Sequence, residues 1–155
     1  MDSMSAQTVL YDGPVPDPPS ALAAAVARVG DRWTLLVADA LMDGPRRFGE
    51  LEQSVAGIAP NTLTQRLREL EADGLVVSRP YQERPRRLAY ELTAEGRDLA
   101  GALRALAHWG ARHSDRDDGP RHDVCGTPLE PRWWCPVCGE PADPDDAQAE
   151  GLRFV

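Results

Sequence analysis

The sequence predicts an α+β fold that is mainly helical, and three observations support this prediction. Apolar residues recur at helical spacing in the segments before Gly74 and again after Thr93. Between these segments the period of the apolar residues falls to about two, which indicates a β-hairpin. With 155 residues, the chain has room for one domain of ordinary size and a small appendage.

The first three helices are predicted from capping residues and apolar spacing. Residues 1–19 are expected to form an extended, proline-rich segment, after which Ser20 caps a helix that Gly30 closes in a left-handed conformation. Asp31 is expected to cap the second helix, and a short third helix is predicted at about Phe48 to Val55. The apolar stripe of the second helix comprises Trp33, Leu36, Val37, Ala40 and Leu41.

The fourth helix, at about Pro60 to Asp73, is predicted to have two different faces. Its apolar face is formed by Leu63, Leu67 and Leu70. At 100° per residue, the opposite face is formed by Asn61, Thr64, Gln65 and Arg68. We therefore expect a helix with a buried back and a hydrogen-bonding front.

The predicted hairpin is the most basic part of the chain. The first predicted strand contains Leu75, Val76 and Val77, and the second contains Leu88, Tyr90 and Leu92. The connecting loop is expected to contain Gln82, Glu83, Arg84 and Pro85. Four arginines surround the single acid Glu83, and they are Arg79, Arg84, Arg86 and Arg87.

A long helix capped by Thr93 is predicted to follow the hairpin, and its apolar stripe is broad. The stripe comprises Leu99, Ala102, Leu103, Leu106 and Trp109. Because one small domain cannot easily cover such a stripe, we expect the first and last helices to join two copies of the chain in a homodimer.

Net charge is distributed unevenly along the chain. The formal total of −8 would discourage a nucleic-acid partner, but residues 1–27 carry −3 and residues 113–155 carry −6. Residues 28–112 hold 13 arginines against 12 acidic residues, a net charge of +1. The net negative charge of the chain therefore comes from its two ends.

We predict a winged helix-turn-helix at residues 20–113. The reason is the order of the elements, which is three helices, a helix with a polar front, a basic hairpin and a last helix. A major groove about 12 Å wide accepts one helix, and arginines of the hairpin, or wing, can hold phosphates or a narrow minor groove. The predicted partner is a double-stranded DNA operator. The predicted contacts are Arg46, Arg47, Asn61, Thr64, Gln65, Arg68, Arg84, Arg86 and Arg87.

Alternatives remain open for several of these residues. The polar face of the fourth helix, taken alone, is also typical of a solvated face with paired charges. Arg46 or Arg47 is equally consistent with an ion pair to Glu50, and only one of Arg86 and Arg87 need face phosphates because strand faces alternate.

Four motifs between Trp33 and Trp109 resemble those of the HxlR-type transcriptional regulators. They are WTLL from Trp33, GPRRFGEL from Gly44, LTQRLRELEADGLV from Leu63 and RRLAYELTAEG from Arg86. The resemblance covers about half of the chain. It implies a homodimeric bacterial repressor or activator whose fourth helix reads DNA.

Two departures from that family pattern are expected to matter. Ala59 stands before Pro60 where a capping serine is expected, which costs the fourth helix about 1 kcal/mol. Some relatives sense oxidants or electrophiles through a cysteine near the N-terminus, but no cysteine precedes Cys125 here. That mode of sensing is not expected, and the effector stays undefined.

The segment from His122 to Gly139 contains an internal repeat that predicts a zinc-ribbon-like appendage at residues 120–141. Each copy has a ligand residue, two spacers, a cysteine and a glycine, as in two zinc knuckles. The predicted ligands of one structural zinc ion are His122, Cys125, Cys135 and Cys138. The alternative is a metal-free tail whose cysteines are ordinary thiols or a redox pair. Residues 142–155 are expected to form an acidic, poorly ordered end.

Other functional classes find little support. No apolar run approaches the roughly 20 residues of a membrane span, and the first residues do not resemble an export signal, so we expect a cytoplasmic protein. An enzyme is not expected, since we find no paired carboxylates, nucleophile triad or phosphate-binding glycine loop. A protein-interaction module with a winged fold and a zinc ribbon is the alternative function, favoured by the acidic total.

Overall fold

A computed structural model describes residues 20–115 and 118–142. The helices are α1 (Ala21–Val29), α2 (Arg32–Ala40), α3 (Phe48–Ser54), α4 (Pro60–Ala72), α5 (Ala94–Asp98) and α6 (Ala100–Arg112). The strands are β1 (Arg46–Arg47), β2 (Val76–Glu83), β3 (Arg86–Leu92), β4 (Trp133–Cys135) and β5 (Glu140–Ala142). Among the described residues, no helix combines the length and the apolar composition of a membrane span. The predicted segment 1–19 and the acidic end beyond Ala142 lie outside the described residues.

The predicted hairpin is confirmed and gains a third strand. Strands β2 and β3 pair antiparallel, and β1 pairs with the other edge of β3, so the sheet order is β1-β3-β2. The strands are longer than predicted, so that only Arg84 and Pro85 form the turn and Gln82 pairs with Arg87. Strand β1 was not predicted, because two residues are too few to show an alternating pattern.

The hydrophobic core lies between the helices and one face of this sheet. Its buried members are Val37, Leu41, Leu51, Val55, Ile58, Leu63, Leu67, Leu70, Leu75, Val76 and Leu92. Three of the eleven come from α4, which packs on α2 and β2. The core therefore fixes the orientation of α4 relative to the hairpin. The fold is a winged helix-turn-helix, as predicted.

Three helices begin at the cap residues that the sequence predicts, whereas α4 has no side-chain cap. The Ser20 hydroxyl accepts the Ala23 N–H at 3.1 Å. The Asp31 carboxylate accepts two amides of α2, and the Thr93 hydroxyl accepts an amide of α5. Ala59 offers α4 no side-chain cap, as expected from the sequence.

Two local predictions about the helices were wrong. Gly30 has a φ of −72°, so it does not close α1 in a left-handed conformation. A Cβ there would lie 2.4 Å from the Val26 carbonyl oxygen, and we infer that glycine allows this close approach. The predicted single last helix is divided into α5 and α6 by a turn at Leu99, a residue that is half-buried against the core.

Apolar side chains on the first and last helices are exposed. Helix α1 has no buried residue, and Leu22 and Val26 are 73% and 56% exposed. On α6, Leu103 is buried, whereas Leu106 and Trp109 are 53% and 61% exposed. The predicted wide stripe is therefore only partly covered by the chain's own core.

Candidate nucleic-acid interface

The two faces of α4 differ as the sequence predicted. On the back, Leu63, Leu67 and Leu70 are 0%, 2% and 1% exposed. On the opposite side, Asn61, Gln65 and Arg68 are exposed and Thr64 is half-buried. The predicted front residues therefore share one accessible surface.

The front side chains of α4 differ in how freely they can reach a ligand. Thr64 donates its hydroxyl to the Pro60 carbonyl at 2.9 Å, and Gln65 donates to the Glu69 carboxylate at 3.0 Å. The Gln65–Glu69 pair, spaced four residues apart on an exposed helix surface, is worth only about 0.2–0.5 kcal/mol, so little free energy holds the Gln65 amide in place. Asn61 and Arg68 make no side-chain hydrogen bond or ion pair with any described residue.

Arg66 lies on the flank of α4 and is bound to the protein. Its guanidinium forms ion pairs with Glu69 and with Asp31, the latter at 3.2 Å. Because the Asp31 carboxylate also caps α2, Arg66 ties α4 to the start of α2. We therefore assign this arginine to holding the two helices together.

The wing presents three exposed arginines. Arg84 lies in the turn, and Arg86 and Arg87 begin β3. Among the described side chains, none forms an ion pair with these three. Arg79, by contrast, pairs with Glu91 across the two strands. The positive charge of the wing is thus concentrated at its tip.

The paired arginines Arg46 and Arg47 have different roles. Arg46 donates to the Ala40 carbonyl at 2.6 Å and to the Ser54 hydroxyl at 3.2 Å, and it forms an ion pair with Asp43. Arg47 is exposed, and it contacts Glu50 through its backbone N–H and not through its side chain. Neither arginine forms the side-chain ion pair with Glu50 that the sequence left open.

Tyr81 is a candidate contact that the sequence analysis missed. It lies at the irregularity in the β2–β3 pairing and is exposed. The Arg47 guanidinium carbon lies 4.3 Å from the centre of its ring, a cation–π contact that orients both groups on one surface. An aromatic residue inside the basic hairpin was the available signal in the sequence.

Tyr90 marks the junction between α4 and the wing. It is half-buried and lies opposite Arg46 in the sheet. Burial raises the pKa of Tyr90, the carboxylate of Glu71 adds to this rise, and Arg68 opposes it. Tyr90 therefore lies within electrostatic reach of Arg68 and Glu71, two charged residues of α4.

The four predicted zinc ligands form two separate pairs. His122 Nδ1 lies 3.3 Å from Cys125 Sγ, and the Cys138 N–H donates to Cys135 Sγ at 3.5 Å. Within the described ranges, no three His, Cys, Asp or Glu side chains are close enough together to hold a metal ion. The zinc site therefore stays a prediction.

Local hydrogen bonds change the acidity of the cysteines. Hydrogen bonding with Thr127 lowers the pKa of Cys125. The backbone N–H of Cys138 lowers the pKa of Cys135, and Cys135 in turn raises the pKa of Cys138. All three thiols are free in the structure.

Comparison with known proteins identifies the family. Residues 28–118 match the family model described as HxlR-like helix-turn-helix. The HTH-type transcriptional regulator Rv3095 of Mycobacterium tuberculosis (strain ATCC 25618 / H37Rv) is 43% identical over 120 residues, which cover 75% of each protein. The fold resembles that of the HTH-type transcriptional regulator ytcD of Bacillus subtilis (strain 168), with a TM-score of 0.58 and 38% identity over 63% of this chain and 99% of that one.

A second solved structure gives a similar result. The transcription factor PA1374 from Pseudomonas aeruginosa has a TM-score of 0.61 and 34% identity, over 76% of this chain and 82% of that one. The matched region contains α2 to α6 and the wing, where the predicted DNA contacts lie. The resemblance inferred from the sequence motifs is confirmed, and the chain belongs to the HxlR-like helix-turn-helix family.

Proposed function

We propose that this transcriptional regulator of helix-turn-helix type binds a specific double-stranded DNA operator as a homodimer in the cytoplasm. The front of α4 enters the major groove, where Asn61, Gln65 and Arg68 contact base edges. The wing arginines Arg84, Arg86 and Arg87 contact the phosphate backbone or an adjacent minor groove.

One observation carries the proposal, namely the asymmetry of α4. Its leucines are buried while its amide and guanidinium side chains are exposed on the opposite face. A side chain can read a base edge only if its donors and acceptors are accessible and its helix is rigidly held. Helix α4 meets both conditions.

Some arginines of this surface form ion pairs within the chain, and others are available to contact DNA. Arg46, Arg66 and Arg79 each form an ion pair with an acidic side chain of the chain itself. The five arginines that form no ion pair with the described side chains of this surface are Arg47, Arg68, Arg84, Arg86 and Arg87. They provide local positive charge for phosphates despite the net charge of −8. We do not assign a DNA contact to Arg46.

The homodimer uses the exposed apolar side chains of α1 and α6. Leu22, Val26, Leu106 and Trp109 offer surface that stays in contact with water in the single chain. Burying this surface between two copies is favourable at about 25 cal/mol per Å². Two α4 helices can then enter successive major grooves about 34 Å apart on a pseudo-palindromic operator.

Selection of DNA fragments followed by a salt titration tests the proposal. Purified full-length protein is mixed with genomic fragments, and the affinity for an enriched fragment is measured from 50 to 200 mM salt. We expect the logarithm of the affinity to fall linearly with the logarithm of the salt concentration, because phosphate contacts release counterions. Failure to enrich any fragment, or binding that salt does not weaken, would contradict the proposal.

A protein-docking function is the second candidate. The exposed apolar residues of α1 and α6 and the net charge of −8 favour it. Docking through these surfaces does not require the wing arginines. A triple variant, Arg84→Ala with Arg86→Ala and Arg87→Ala, distinguishes the two functions, since it should abolish DNA binding and leave docking intact.

A further inference from the structure

We propose that residues 120–142 form a structural zinc site in which His122, Cys125, Cys135 and Cys138 bind one Zn²⁺ ion within a single chain. The site joins two small hairpins and has no vacant position for a substrate. This proposal concerns a part of the chain outside the DNA-contacting surface. It goes beyond DNA binding and does not depend on it.

The two halves of the site have the same backbone geometry. In the first, the Gly126 N–H donates to the His122 carbonyl at 2.8 Å, and Gly126 has a φ of +68°. In the second, the Gly139 N–H donates to the Cys135 carbonyl at 2.9 Å, and Gly139 has a φ of +69°. The left-handed region favours glycine, so the repeat in the sequence specifies the same tight turn twice.

Each turn lies at the tip of a small antiparallel hairpin. Arg121 bridges to Pro128 around the first turn, and the His122 N–H donates to the Thr127 carbonyl at 2.9 Å. Strands β4 and β5 flank the second turn, with Cys135 opposite Glu140. Two ligand-bearing hairpins of this kind are the parts of a zinc ribbon.

In the first turn the two ligand atoms already face each other. The 3.3 Å between His122 Nδ1 and Cys125 Sγ suits two ligands of one ion, since Zn–N and Zn–S bonds of about 2.0–2.1 and 2.3 Å at tetrahedral angles separate ligand atoms by about 3.5 Å. In the second turn, the Cys138 N–H donates to Cys135 Sγ. Amide hydrogen bonds to sulfur of this kind stabilise a metal-bound thiolate. Binding requires the two pairs, which lie apart in the structure, to come together.

The hairpins lack a hydrophobic core that could hold them together. No residue between 120 and 142 is buried, and Val124 and Val137 are 87% and 91% exposed. A unit this small that buries so little apolar surface needs a covalent or metal cross-link to hold one fold. The repeated turns therefore need another source of stability.

A disulfide cannot supply that stability as well as a metal can. A bond between Cys135 and Cys138 would close only the second hairpin, and it would leave His122 and Cys125 without a role. A bond from Cys125 to either partner would leave one cysteine unpaired. One Zn²⁺ ion uses all three thiols and the imidazole together, and its binding energy contributes directly to folding.

Metal analysis of the full-length protein tests the proposal. Protein purified with a reductant is loaded with Zn²⁺, passed through a desalting column and measured by inductively coupled plasma mass spectrometry. We expect one zinc ion per chain. X-ray absorption should show three sulfur neighbours at about 2.3 Å and one nitrogen at about 2.0–2.1 Å.

Single variants show whether both hairpins are needed. Cys125→Ser and Cys138→Ser change one hairpin each, and each should reduce the retained zinc to less than about a tenth of an equivalent. His122→Ala should do the same, whereas His113→Ala, a histidine of the preceding segment, should retain a full equivalent. Thermal unfolding followed by the helical circular dichroism signal should be unchanged, because the helical core contains no residue of this segment.

Three outcomes would overturn the proposal. They are no retained zinc, a full equivalent in either cysteine variant, or half an equivalent per chain with ligands from two copies. None of these measurements involves DNA. A failure here is therefore distinguishable from a failure of the proposed operator binding.

Discussion

The back and the front of α4 (Pro60–Ala72) differ in what their side chains contact. The back is formed by leucines that lie in the core with residues of α2, α3 and the sheet. The front is formed by polar side chains, of which Thr64 and Gln65 form hydrogen bonds within the same helix. One helix thus combines the rigidity that comes from burial with the accessibility that recognition requires.

Two arginines only two residues apart illustrate the difference. Arg66 is bound to Asp31 and Glu69, whereas Arg68 is exposed and forms no ion pair with the described side chains. The same residue type therefore supports the fold at one position and is available to a ligand at the other. The number of arginines in a segment is a weaker guide to DNA binding than the contacts of each one.

The largest expected effect is on the back of α4. Leu67→Ala removes a fully buried side chain and leaves a cavity, so the free energy of unfolding should fall by about 2–5 kcal/mol. Chemical denaturation of both proteins measures this loss. Gln65→Ala on the front is the matched control and should change the stability by less than about 0.5 kcal/mol. Equal losses in the two variants would show that the two faces do not differ as described.

On the front, Gln65→Ala should relax sequence choice at one position of the operator. Losing a good contact to a base edge costs about 1–3 kcal/mol of discrimination against the wrong base. Affinities for the selected fragment and for variants with single base changes measure this. Uniform weakening for all fragments, with discrimination intact, would assign Gln65 to the backbone instead.

Arg84→Ala at the wing tip should weaken binding to all DNA by about tenfold, because a phosphate contact carries no sequence information. The slope of log affinity against log salt should fall by about 1. Arg79→Ala is the matched control on the same hairpin, since Arg79 pairs with Glu91. We expect the control to keep the slope of the unmodified protein. The assignment fails if the two variants behave alike.

The smallest expected effect is a gain. Ala59 precedes α4 in an extended conformation, with φ −76° and ψ 144°, and offers no side-chain cap. Ala59→Ser supplies an acceptor for the free amides of the first turn and should raise the free energy of unfolding by about 1 kcal/mol. Thermal and chemical unfolding measure the change, and Ala59→Gly should give a smaller gain. A loss of stability with serine would contradict the capping argument.

Much of the fold could be predicted because its signals are local. The leucine spacing of α4, the cap residue Asp31 and the alternation in the hairpin each act over a few residues. Strand β1 could not be predicted, since its two residues become a strand only by pairing with β3. The left-handed end expected at Gly30 failed for a different reason. A glycine at the end of a helix is compatible with either sign of φ, and here φ is −72° with the Val26 carbonyl close by.

The sequence predicted which residues lie at the candidate site better than it predicted the contacts that each of them makes. The front of α4 follows from helical geometry alone, so Asn61, Gln65 and Arg68 could be named in advance. The ion pair of Arg66 with Asp31 joins α4 to the start of α2, and no local pattern reveals it. The pair of Arg46 with Asp43 is local, but a spacing of three residues across a turn does not by itself specify an ion pair. Sequence alone therefore identifies the arginines of this surface without separating those that hold the fold from those that face outward.

The most direct test of the central claim is the affinity ratio between the selected fragment and a scrambled fragment of equal length. The ratio is measured for the unmodified protein and for a triple variant with Asn61→Ala, Gln65→Ala and Arg68→Ala. Specific binding commonly exceeds non-specific binding by at least about 1,000-fold. We predict that the affinity ratio of the variant falls below about 10. The melting temperature of the variant should stay close to that of the unmodified protein. An unchanged ratio in a folded variant would contradict the assignment of α4 as the helix that reads DNA.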